Sequence, residues 1–128
     1  MATWRELSGD SLQASKMLLA EGRLRSGVSR AYYAAYSAVT GELVARGLSF
    51  ARGWNNPAHE QLPDLASHNL PLTRPTARRL RKALRVLRKA REDADYRPGI
   101  AVDRVTALDC VRAAILVMDL LGVDDDGT

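Results

Sequence analysis

Between Ser29 and Ala38 the chain reads Ser29-Arg30-Ala31-Tyr32-Tyr33-Ala34-Ala35-Tyr36-Ser37-Ala38, with three of its four tyrosines within five positions. At helical spacing Tyr32 and Tyr36 share one face, one turn apart, and Ala31, Ala35 and Ala38 are small enough to let a second helix approach closely. Such a segment reads as the central packing helix of the fold. Arg30, on the flank of this seam, needs a carboxylate, carbonyl or phosphate partner.

The rest of the chain keeps the same period. Thr3-Trp4-Arg5-Glu6 has the form of a capping box and opens a first helix that Gly22 ends, with Leu7, Ala14, Met17, Leu18 and Leu19 as its expected apolar stripe. Ser26-Gly27 opens the second helix, which runs to Arg46-Gly47, and Gly41 within it marks a close helix contact. Leu48 to Thr73 is punctuated by glycine, asparagine and proline, and accommodates only short turns near 58–62 and 64–67. From Pro75 to about Tyr96 the period returns, with Leu80, Leu84, Leu87 and Ala94 on one side. A last helix is expected from Asp103 to Leu121, with Val105, Leu108, Val111, Ile115, Met118 and Leu121 facing inward. No segment alternates with period two, so the expected class is all-α: four long helices plus a short one. Residues 1–122 form the expected single domain and 123–128 an acidic tail.

At 128 residues, with 46% hydrophobic and 27% charged residues, the composition is that of one globular domain. Cys110 is the only cysteine, which excludes an internal disulfide and fits a reducing setting. The N-terminus has no signal-peptide pattern and no run approaches a membrane span, so a cytoplasmic location without membrane contact is expected. The net charge is +4, and because Asp124-Asp125-Asp126 contribute −3, the body carries +7, which favours polyanionic partners.

Two clusters carry potential chemistry. Nine cations lie between Arg74 and Arg91 before the first acid, Glu92. Arg78, Arg81, Arg85 and Arg88 share a face there, a ridge suited to a phosphate backbone or else a solvated face paired with acids elsewhere. Arg91-Glu92-Asp93-Ala94-Asp95-Tyr96 then brings opposite charges and the fourth tyrosine to a helix end. Asp93 or Asp95 is the expected partner of Arg30 if the cluster is structural. If it is functional, Arg91 clamps a phosphate and Tyr96 stacks on a base or hydrogen-bonds to it. His59 and His68 stand in no metal-ligand pattern and no phosphate-loop or dinucleotide motif occurs, so neither metal nor cofactor is expected.

These residues resemble the HEPN (higher eukaryotes and prokaryotes nucleotide-binding) domain family, in particular its small stand-alone bacterial members. The matching residues are Ser29 to Tyr36, His59 after the irregular connection, and Arg91 with Ala94-Asp95-Tyr96. The resemblance implies a helical bundle, commonly homodimeric, whose catalytic members cut RNA without a metal. They use an arginine followed four to six residues later by a histidine. Arg91 matches the arginine, but Glu92 to Pro98 contain no histidine, so the general acid or base is absent from its usual place and His59 is the remaining candidate. The resemblance further implies a toxin–antitoxin or defence pairing with a nucleotidyltransferase, with Tyr96 as the position that would receive a nucleotide.

Three functions therefore stand open. The first is RNA or nucleotide binding through Arg30, Arg91, Asp95 and Tyr96 together with the basic helix. The second is metal-independent RNA cleavage using Arg91 and His59. The third is a non-catalytic adaptor that holds a protein partner.

Overall fold

The computed structural model describes residues 2–50 and 56–123; the acidic tail from Asp124 onward lies outside them. The elements in order are α1 (Trp4–Ala20), α2 (Leu24–Ala45), a 3₁₀ turn (His59–Gln61), α3 (Leu62–Asn69), α4 (Arg74–Tyr96) and α5 (Arg104–Leu120). Among the described residues there is no strand, and the expected all-α bundle of four long helices and a short one is what forms. None of the described helices is long and apolar enough to cross a membrane. The helix α2 packs against each of the other four and is the central element.

Local chemistry sets the helix ends. Thr3, Thr73 and Asp103 accept with their side chains from the backbone N–H three residues on, capping α1, α4 and α5. Helices α1, α2 and α5 end alike, with Gly22, Gly47 and Gly122 at φ 77°, 76° and 72°. In each, the glycine N–H and the one after it turn back onto carbonyls of the last turn, as in Arg23 to Leu18 at 2.8 Å and Val123 to Met118 at 2.8 Å. Glycine meets this left-handed requirement without a Cβ penalty. Val123 beyond the last of these turns is 2% exposed and completes the core.

The α1–α2 contact corrects the expected stripe of α1. Leu7 and Met17 are 40% and 65% exposed, whereas Ser8, Ser11, Leu12 and Ser15 are buried. Small residues bring the two backbones together, with Leu19 packed over Gly27 and Trp4 over Gly41. Ser8 Oγ donates to the Ala34 carbonyl at 2.7 Å and Ser15 Oγ to that of Gly27 at 2.6 Å, so the buried hydroxyls are satisfied by the neighbouring backbone. A Cβ on Gly41 would lie 2.9 Å from Trp4 Cβ, which is the close contact anticipated at that glycine.

The helix α5 shows the same rule. Val105 and Leu108 of its expected inward face are 68% and 38% exposed, and Ala107, Cys110 and Ala114 join Val111, Val117 and Met118 in the core. The expected face of α4 forms as read, with Leu80, Leu84, Leu87 and Ala94 all buried.

Candidate functional site

The site is built where α2, α4 and the 3₁₀ turn meet. From α2, Tyr32, Tyr33 and Tyr36 form an aromatic group with ring centroids 5.3 to 6.1 Å apart. His59 enters from the turn, 4.8 Å from the Tyr36 ring and 5.5 Å from that of Tyr32. Its Nδ1 is 2.6 Å from the Tyr32 hydroxyl, and the Tyr36 hydroxyl donates to the Pro57 carbonyl at 2.7 Å. Two buried phenols thus hold the irregular connection in place.

Arg91 crosses this group from α4. Its Cζ lies 5.6, 5.4 and 5.1 Å from the ring centroids of Tyr32, Tyr33 and Tyr96, within cation–π range. Its Nε donates to Asp95 Oδ2 at 3.0 Å, and its Nη2 to the hydroxyls of Tyr33 at 2.9 Å and Tyr96 at 3.1 Å. Ser29 Oγ donates to the same Asp95 oxygen at 3.1 Å. The Arg91 side chain is 11% exposed, whereas Tyr96 is 67% exposed. A guanidinium fixed on three sides therefore sits beneath an accessible aromatic ring.

The electrostatics follow from burial. Desolvation pushes the Tyr32 hydroxyl well above its ordinary pKa, with Arg91 pulling the other way, and burial raises Tyr36 as well. Burial lowers His59 below its ordinary value, and Arg91 and Arg88 lower it further. At neutral pH the His59 imidazole is therefore uncharged, with one ring nitrogen engaged by Tyr32. When Nδ1 carries the proton and donates it to Tyr32, Nε2 is left as a base.

Arg91, Asp95, Tyr96 and His59 are thus brought together. Arg30 is not among them. It is exposed and has no partner among the described residues, and Asp95 is taken by Arg91 and Ser29 instead. At 100° per residue Arg30 points away from the face of α2 that carries Ser29, Tyr32 and Tyr36. The arginine that bridges α2 to the end of α4 is Arg25. Its Nη1 donates to the carbonyls of Asp93 and Ala94, both at 3.1 Å, and Arg97 at 3.3 Å, and its Nη2 to those of Pro98 and Ile100. The only signal for Arg25 is its place one turn before Ser29 on the same face. Ser29 and Tyr33 also hold the site directly, through Asp95 and Arg91.

The basic ridge divides. Arg88 Nε pairs with Glu92 at 3.0 Å, at the edge of the tyrosine group. Arg78, Arg81 and Arg85 lie farther toward the start of α4, along a groove of about 760 Å³ between α3 and α4. Arg81 pairs with Asp64 at 2.8 Å, while Arg78 and Arg85 are exposed and make no ion pair among the described residues. Unrelieved like charges three and four residues apart destabilise a helix by about 0.2–0.5 kcal/mol per pair.

A model of the HEPN domain matches residues 1–123. A UPF0332 protein of Thermotoga maritima is 43% identical over 49 residues, which are 38% of this chain and 37% of that protein, so the match spans little more than a third of the relative's length. No solved structure matches the chain significantly. With the family match running from Met1 through Val123, the chain belongs to the HEPN domain family.

Proposed function

We propose that this protein binds RNA or nucleotide at the Arg91–Asp95–Tyr96 site, as the helical component of a toxin–antitoxin or defence pair with a nucleotidyltransferase, acting as a homodimer. The observation that carries the reading is the Arg91 guanidinium, pinned by Asp95, Tyr33 and Tyr96 directly below a ring that is 67% exposed. A fixed positive charge under an open aromatic face suits a phosphate and its attached base. The unpaired cations of α4 add sequence-independent attraction for the same ligand.

His59 favours a second reading, metal-independent RNA cleavage. Its Nδ1 contact with Tyr32 places an uncharged imidazole beside the arginine cluster, as a general base for a 2′-hydroxyl requires. Purified protein with labelled cellular RNA in chelator, beside Arg91→Ala and His59→Ala, separates the two by gel shift and by cleavage. Binding lost in Arg91→Ala without cleavage in any sample supports the binding role. Cleavage that disappears in both variants makes the protein a ribonuclease, and RNA binding untouched in Arg91→Ala refutes the assignment of the site.

A further inference from the structure

We infer that the groove between α3 and the first half of α4 is a second, separate anion site, which takes the phosphate groups of a polyphosphate-bearing ligand. The inference takes its ligand class from the RNA or nucleotide reading above, but its residues are not those of the Arg91 cluster.

The groove has about 760 Å³ of space and is lined by Arg74, Arg78, Arg81, Lys82 and Arg85, with His68 opposite on α3. Along α4 these cations cover roughly 16 Å at 1.5 Å per residue, the length of several phosphates rather than one. Asp64 is the only carboxylate that pairs with any of them among the described residues, and it engages Arg81 alone. No acidic residue stands in the first turn of α4, so the positive end of the helix adds to their field instead of being offset.

Arg81 supplies an independent observation. Its Nη2 is held by Asp64 at 2.8 Å, which fixes the plane of the guanidinium, yet its Nε is buried with no acceptor among the described residues. With Nε enclosed and the side chain as a whole 36% exposed, the guanidinium offers a ligand in the groove its terminal nitrogens, in an orientation set by Asp64. Phosphate oxygens fit a planar donor set flanked by unpaired lysine and arginine. A chain of cations that repel one another at helical spacing, kept at the open end of a helix, is also a local conflict of the sort found where a ligand completes the charge balance.

The ligand can be the backbone of an RNA strand or the terminal phosphates of a nucleotide. Tripolyphosphate and a short single-stranded RNA, each titrated calorimetrically at low salt, distinguish these sources. Arg78→Glu and Arg85→Glu change exposed side chains, and Arg112→Glu on α5, where the side chain is 75% exposed, is the charge-matched control. The expected result is saturable binding weakened about tenfold or more by either groove variant, the equivalent of one charge-assisted hydrogen bond, and little changed in Arg112→Glu. Arg81→Lys, which retains the charge and loses the planar fork, should weaken binding as well. Binding of RNA alone identifies a polymer backbone as the source, and binding of tripolyphosphate alone identifies nucleotide phosphates. Equal loss in Arg85→Glu and Arg112→Glu, or no saturable binding of either probe, overturns the site. Arg91→Ala should leave tripolyphosphate binding intact. If it also leaves RNA binding intact, the Arg91 reading fails while the groove stands.

Discussion

Arg25 offers a test of whether the candidate site depends on the end of α4 being held in place. That end has no basic residue in its last turn, so its free carbonyls meet no cation from their own helix. Arg25 reaches across from α2 to donate to Asp93 and Ala94 within α4 and to Arg97, Pro98 and Ile100 beyond it. Hydrogen bonds to a charged group contribute about 1.5–3 kcal/mol when sheltered, and a cation at a helix C-terminus about 0.3–1 kcal/mol. Because the contacts beyond α4 are exposed and only those to Asp93 and Ala94 are partly buried, the lower part of that range applies, about 1.5–2 kcal/mol in all. Arg25→Ala should therefore speed amide exchange in the last turn of α4 by roughly ten- to thirtyfold, and lower Tm by about 4–7 °C for a domain of this size. The loss should be concentrated at residues 93–100, and with it Asp95 and Tyr96 should lose their fixed position beside Arg91. Arg25→Lys keeps the charge but not the fork, and should recover only part of the protection. Exchange accelerated evenly over all five helices would refute the reasoning, because it would make Arg25 a general stabiliser rather than an anchor of the site.

Gly27→Ala should destabilise the protein by about 1–3 kcal/mol through overpacking, since the new Cβ would sit 2.0 Å from Cδ1 of Leu19, a side chain only 4% exposed. Ser15→Ala, which removes one hydroxyl bond to Gly27, should cost about 0.5–1.5 kcal/mol, and urea unfolding of the two variants tests that order. His59 has its folded pKa held below the ordinary histidine value of about 6.5, so the unfolded chain binds more protons below that pH. Its contribution to stability is therefore complete above about pH 6.5 and lost as the pH falls toward the folded pKa. The Tm of the native protein should drop from pH 7.5 to pH 5.5 by more than that of His59→Gln, and parallel curves would refute the assignment.

The bundle was legible in the sequence because α4 and the helix ends obey strong local rules. Leu80, Leu84 and Leu87 sit among arginines, so only one face of α4 is apolar. Faces that pack through small residues were not legible by the same means. In α1 the buried face includes Ser8, Ser11 and Ser15, and in α5 Ala107 and Ala114, residues whose burial reflects how near the next helix comes rather than their own hydrophobicity. Arg25 rather than Arg30 partners the α4 end for a geometric reason: Arg25, Ser29, Tyr32 and Tyr36 share a face of α2 and Arg30 does not. The position of His59 lay further out of reach, since the segment from Leu48 to Thr73 has no period from which its path follows. A signal existed nonetheless. Tyr32 and Tyr36 fall on the buried face of a central helix, where each hydroxyl must find a partner. On α4, Arg91 is engaged by Asp95 and Arg88 by Glu92. The irregular connection was left to supply both partners, and it does so with the Pro57 carbonyl and the ring of His59.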